Sequence, residues 1–268
     1  MKSIRHHLKT ITLAACIVAA APSAFAQAFD AVRLYGAAPG KDGGTVGAAV
    51  VATYEYQGSD KRSTLLVPLL DYQWASGWFA GFSNGIGYNF SSSQPLQYGL
   101  RVTANTGRKV SSSDDLRGLG DVAATAEVGA FLNYTLPRGL FLTSSIRYGA
   151  GVDRKGLIVD LGAGYLTTIA PKWNLAAGLG ITLANASYMQ SFFGITAAQA
   201  GASGYAAYTA GSGARDVRAN LALTYSIAPK ISVTAALYAT RLLADAKDSP
   251  LTRKRSAESG VVAINYAF

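Results

Sequence analysis

From Asp216 to Ile227 apolar and polar residues alternate without a break. Val217, Ala219, Leu221, Leu223, Tyr225 and Ile227 take one face, and Asp216, Arg218, Asn220, Ala222, Thr224 and Ser226 take the other. Period two is the signature of an extended strand, whose successive side chains point to opposite faces. Val122–Leu136 repeats the pattern, with Val128, Leu132 and Tyr134 on the apolar face and Thr125, Glu127, Asn133 and Thr135 opposite. Leu157–Ile169 does so again, with Asp160 and Thr168 on the polar side. Strands in soluble sandwiches run about 5–6 residues, whereas a tilted strand that crosses a bilayer needs about 9–11. These runs are too long for the first and suit the second. The expected fold is all-β, a closed antiparallel transmembrane β-barrel.

The connections come in two sizes. Leu136-Pro-Arg-Gly139, Ala170-Pro-Lys172 and Ala228-Pro-Lys230 read as tight turns, while Lys109–Gly120, Ser191–Ala214 and Asp245–Arg255 are long and polar or Gly-rich. Outer-membrane barrels place short turns in the periplasm and long loops outside, and both termini in the periplasm require an even strand count. Reading back from Phe268, strands fall near 256–268, 231–243, 215–228, 172–188, 157–170, 138–153, 121–136, 95–107, 77–89, 62–74 and 45–57. Parity assigns the missing one to Phe29–Ala37, giving twelve strands, with ten as the alternative. On this threading Gly58–Arg62 and Ser91–Pro95 lie in the periplasm and Ala75–Gly77 outside.

Two further features place the chain in the envelope. Its last stretch, Gly260-Val-Val-Ala-Ile-Asn-Tyr-Ala-Phe268, alternates and stops on an aromatic, which resembles the closing strand of outer-membrane barrels. Its first 26 residues read as a secretory signal peptide: Lys2, Arg5 and Lys9, an apolar core from Ile11 to Ala21, and Ala24-Phe25-Ala26 before a cut at Gln27. Residues 27–268 then form the barrel. Leu13-Ala-Ala-Cys16 resembles a lipoprotein box, but the apolar core continues past Cys16. The 29 glycines and 15 tyrosines suit a lipid-facing sheet with aromatic rims.

Cleavage also changes the chemistry. His6, His7 and Cys16 are the chain's only histidines and cysteine, and all three leave with the signal. The mature chain then has no disulfide, no Cys or His metal site and no Ser-His-Asp triad. Removing three basic residues lowers the formal net charge from +9 to +6. An exported chain with scattered basic residues argues against nucleic acid and for anionic lipid head groups as the neighbouring charge. No phosphate-binding loop or dinucleotide fingerprint appears, so no cofactor is expected.

The inward face collects Arg101, Glu127, Arg147, Asp160, Asp216 and Arg218. Three readings stay open: an ion-pair network that fills a narrow lumen, a solvated charge-selective pore, or an acid–base pair formed by Glu127 and Asp160. In the loops, Asp114, Arg117, Asp121, Phe192 and Phe193 are candidates for contact with a partner; Phe192 and Phe193 equally suit a segment folded over or into the barrel mouth.

Several segments point to a family. They are Tyr54-Glu-Tyr-Gln-Gly-Ser-Asp60, Asp114-Asp-Leu-Arg-Gly-Leu-Gly-Asp-Val122, Asp153-Arg-Lys-Gly-Leu-Ile-Val-Asp-Leu-Gly-Ala-Gly-Tyr165 and Tyr188-Met-Gln-Ser-Phe-Phe-Gly-Ile-Thr-Ala-Ala-Gln-Ala200, continuing to Arg215-Asp-Val217. Together they resemble the MipA/OmpV family of outer-membrane proteins, named for the MltA-interacting protein, from about Tyr54 to Phe268. The resemblance implies a barrel in the cell outer membrane. It also implies a non-enzymatic scaffold joining a periplasmic murein hydrolase to a murein synthase, as the name-giving member is described. Other members imply solute passage, adhesion or osmotic adaptation. No catalytic residue carries over.

Overall fold

The computed structural model describes residues 40–92 and 94–268. The expected signal peptide and the expected first strand at Phe29–Ala37 lie outside them. Twelve antiparallel strands close into a barrel. They are β1 (Gly43–Tyr54), β2 (Arg62–Gln73), β3 (Trp78–Gly81), β4 (Gly85–Asn89), β5 (Leu96–Asn105), β6 (Thr125–Thr135), β7 (Leu140–Ala150), β8 (Gly156–Ala170), β9 (Trp173–Ala184), β10 (Gly213–Ala228), β11 (Ile231–Leu242) and β12 (Ser256–Ala267). Each pairs with its neighbour in sequence, and β1 closes on β12 from Thr45 opposite Ala267 to Ala52 opposite Gly260. The terminal Phe268 completes that seam, its N–H donating to Gly44 O at 3.0 Å and its carbonyl accepting from Gly44 N at 3.1 Å.

The strand count of twelve stands, and the described residues supply all twelve. Residues 77–89 are a hairpin of two short strands, β3 and β4, turning at Phe82-Ser-Asn84. That extra reversal inverts the sidedness of everything before it. The 55–61 connection therefore lies at the loop end of the barrel with the other long loops, and 74–77 lies at the turn end, opposite to the sequence threading. The 90–95 connection stays at the turn end.

Outward residues form an apolar band, with Val50, Leu66, Val128, Leu179, Leu237 and Val262 all exposed. At the turn end this band stops in aromatic pairs: Trp78 with Tyr88 at 5.3 Å, Trp173 with Tyr225 at 4.6 Å and Tyr266 with Phe268 at 6.5 Å between centroids. Amphipathic rings at a bilayer edge mark where the hydrocarbon ends. Inward residues divide by region. β1, β2, β11 and β12 contribute Ala49, Val51, Val67, Leu69, Ala236, Val261 and Ala263, an apolar wall with Asp71 of β2 below it, whereas β5 to β10 carry the clustered charges.

The long loops fold into a cap. It contains α1 (Ala186–Phe193), α2 (Ala197–Ser203) and α3 (Ala244–Asp248). Asn185 ends β9 and starts α1, because its side chain accepts from Tyr188 N at 3.0 Å and also from Leu157 N at 2.9 Å. Thr196 and Gln199 form a reciprocal capping box at the start of α2.

Candidate functional site

The upper lumen holds an ordered ionic layer that crosses from β6 to β10. Arg147 on β7 bridges two carboxylates, meeting Glu127 of β6 at 3.0 Å and Asp160 of β8 at 2.7 Å. Arg218 on β10 reaches the other Asp160 oxygen at 3.0 Å and Asp216 at 3.6 Å. Arg215 closes the row on Asp216 at 2.5 Å. Neutral donors complete the carboxylates: Thr182 to Asp160 at 2.7 Å, Asn105 to Glu127 at 3.0 Å and Thr103 to Glu127 at 3.4 Å. Three guanidinium groups thus meet three carboxylates, and every oxygen of Glu127 and Asp160 accepts a hydrogen bond. Buried charge is tolerable only when paired in this way.

Five of the six lumen residues read from the sequence meet in this layer. Arg101, on β5, donates to Ser145 Oγ at 2.7 Å and lies 5.8 Å from the Phe131 ring. Arg215 escaped sequence reading. Alternation from Asp216 and Arg218 would point it at lipid, but the β9–β10 register shifts between Ala214 and Asp216. The extra residue of that bulge turns Arg215 inward beside Asp216, where it is fully buried. No sequence pattern marks such a bulge.

Above the ionic layer the cap has its own core. Tyr188, Met189, Phe192 and Phe193 of α1 pack with Val122, Ile158, Leu242 and Ala246. A second cluster joins four loops through Tyr56, Leu116, Leu119, Ile195 and Leu251. Phe192 and Phe193 are therefore buried in the cap, the placement expected of a segment folded over the barrel mouth. Val122 likewise leaves the outward face and enters the cap, because β6 begins only at Thr125. Asp114 and Arg117 do stay exposed and pair with each other at 3.0 Å, and Asp121 accepts from Val110 N at 2.7 Å.

Polar ties fasten the cap to the barrel and its loops to one another. Arg215 Nη1 donates to Tyr188 Oη at 2.8 Å, linking α1 to the ionic layer. Arg108 Nη1 donates to Phe192 O at 2.7 Å, Ser249 Oγ to Phe193 O at 2.6 Å, and Lys61 meets Asp115 at 3.1 Å. Burial pushes the Arg108 guanidinium down to about 10 and raises the Tyr56 and Tyr188 phenols above their ordinary value.

Below the ionic layer the lumen is a cavity of about 630 Å³. Its roof is Asp160 and Arg101, its sides carry Asn133, Asn174, Asn220, Thr224, Ser232 and Asn265, and its lining runs down to Gly43, Gly44 and Phe268 at the turn end. The turns there, such as 171–172 and 229–230, are too short to cover it. Beside the cavity a Cβ on Gly164 would fall 2.2 Å from the Phe141 ring, which lies over that glycine. Among the described residues no group of three or more His, Cys, Asp or Glu could hold a metal ion.

The family model of the MltA-interacting protein MipA matches residues 46–268. The chain belongs to the MipA family. It is an outer-membrane β-barrel of that family, and the match covers every strand after the first few residues of β1. No curated protein sequence matches at a significant level. Among solved structures the MipA-family barrel is similar to the KdgM porin, with 9% identity over 84% of this chain and 99% of that one and a TM-score of 0.46. It is similar to the NanC porin at 9% identity, covering 82% and 98%, with a TM-score of 0.45. The toluene transporter TodX of Pseudomonas putida gives 11% identity, 88% and 90% coverage and a TM-score of 0.39. At such values the likeness is one of barrel architecture and says nothing of what this barrel binds or conducts.

Proposed function

We infer that this MipA-family barrel is a non-enzymatic scaffold of the cell envelope, with its turn end and cavity mouth facing the periplasm. The observation that carries the reading is the double closure of the loop end. A charge-paired layer fills the upper lumen, and a packed cap of four loops lies above it. A pore that must pass ions pays heavily for such a seal, whereas a scaffold needs only a rigid ring that presents one face. The partner the family description names is a murein enzyme, and a periplasmic murein hydrolase or synthase is the one expected at the turn end. Affinity capture from crosslinked envelopes is expected to recover one of these enzymes; repeated capture of neither sinks the reading.

A second reading is a small-solute channel, favoured by the Asn- and Thr-lined cavity below the ionic layer. It requires the cap to swing away. Planar-bilayer recordings separate the two: the scaffold reading expects no conductance steps from the pure folded protein, and the channel reading expects them.

A further inference from the structure

The barrel wall is not equally continuous all round. β1 and β2 pair over their full lengths, from Gly43 opposite Gln73 to Tyr54 opposite Arg62. On its other side β2 pairs with β3 only at Asp71, Tyr72 and Gln73, and β4 meets β5 only from Asn89 opposite Gly99 to Ile86 opposite Val102. The short β3–β4 hairpin fills the wall near the turn end and stops at Ser83 and Asn84. Above it β2 has no strand partner among the described residues until the Lys61–Asp115 ion pair bridges the loops overhead. The result is a window framed by β2, the 82–84 turn and the upper part of β5.

The depth of this window matters. Leu66 on the β2 edge pairs across β1 through Val50, which in turn faces Val262 of β12, so the window lies in register with the outward apolar band. Leu66 is 76% exposed, more than any other large apolar residue described. Leu70 O accepts from Phe82 N, so by alternation the backbones of Thr64, Leu66 and Pro68 also point into the window. Unpaired backbone groups at membrane depth are tolerated only where they line a hydrated or protein-filled space. The cavity supplies that space, since Leu69, Ser83 and Asn84 at the window's edge also line it.

Pro68 decides what can occupy the window. It has no N–H to give a ladder, which places it as proline is found at unpaired edges and blocks an added strand from another chain. A small molecule meets no such obstacle. The cavity volume of about 630 Å³ falls within the roughly 300–1,000 Å³ of small-molecule sites. Its lining is amphipathic, with Leu69, Phe79 and Val261 against Arg101, Asn220 and Thr224; of its two side-chain carboxylates, Asp160 is paired with Arg147 and Arg218 and Asp71 accepts from Ser83.

We propose that this window is a lateral port for a single-chain amphiphile, its apolar tail held at the β2 edge and its polar head in the lumen cavity. The port is independent of any protein partner at the turn end. The test uses the full folded chain in lipid nanodiscs with a diazirine-bearing alkyl carboxylate, irradiated and mapped by peptide mass spectrometry. Label is expected at residues 64–68 and 83–84, displaced by excess unlabelled alkyl carboxylate and lost in Asn84→Trp, which fills the port's floor. Heat-modifiable migration on gels verifies that the variant is folded, and Ala104→Trp, from the β5 side, replaces it if it is not. Label spread evenly over the lipid-facing band, or displaceable label that persists in a folded port variant, overturns the proposal. If neither variant folds, the wild-type map alone decides.

Discussion

The two ends of this barrel are built on opposite principles. At the loop end, four connections give up solvent to form two apolar clusters, anchored to buried ion pairs. At the turn end, connections as short as two residues leave a polar cavity uncovered. Buried charge and cap packing are thus concentrated in the end that closes the lumen, and the open end is lined by scattered polar and aromatic side chains. The contrast teaches that chain length in the loops here serves closure, and that of the two ends only the turn end is left open to water.

Substitutions at the two ends should therefore differ in scale. Replacing Arg147 by Met leaves Glu127 and Asp160 buried without their shared cation, and such a loss costs about 3–5 kcal/mol. Urea unfolding followed by heat-modifiable migration should show a large fall in midpoint; an unchanged midpoint would break the account of the ionic layer. Phe193→Ala removes the deepest aromatic of the cap, and truncation of a buried Phe costs about 3–5 kcal/mol when the site cannot collapse. Because the cap sits on a closed barrel, the effect should appear as protease cleavage between residues 186 and 212 before any loss of the barrel itself. Thr182→Val strips one donor from Asp160 and should cost about 1–3 kcal/mol. At the other end, Asn265→Ala in the cavity wall should stay within about 0.5 kcal/mol of wild type by the same unfolding assay. A large cost there would erase the distinction between the ends.

Alkaline pH offers a gentler probe of the same contrast. Burial raises the Tyr56 and Tyr188 phenols above the ordinary tyrosine value. The folded cap keeps these protons while the unfolded chain gives them up. Their contribution is therefore intact below pH about 10 and is lost as pH rises beyond it. Phenolate absorbance should rise in two phases, exposed tyrosines first and the cap tyrosines only as the cap opens. A single phase at the ordinary tyrosine value would contradict their burial.

Much of the barrel was legible because its long strands alternate. Asp216–Ile227 and Leu157–Ile169 fall within β10 and β8 with the faces expected. The β3–β4 hairpin was not legible, because strands of four and five residues carry too little alternation to register and their turn sits inside one aromatic-rich run. Parity then demanded a strand elsewhere and reversed the early threading. The charged inward residues were visible as types on a face, yet their grouping depended on register between strands far apart in sequence. Arg215 needed the bulge as well. The cap was the least visible part, although Thr196 and Gln199 carry the spacing of a capping box and Asn185 that of a helix start.

The central claim is that the lumen is sealed at its loop end and open to water at its turn end, and single-cysteine labelling tests it most directly. Cys16 is the chain's one cysteine and lies in the expected signal peptide, so an introduced thiol reports alone. Thr224→Cys places it in the cavity near the turn end, and Asp114→Cys places it on the exposed loop surface. A maleimide too bulky for porins, added to intact cells, should label the residue-114 thiol and spare the residue-224 thiol. Opening the periplasm should then expose the residue-224 thiol. Labelling of the cavity thiol in intact cells at the rate of the loop thiol would contradict a barrel sealed at its loop end.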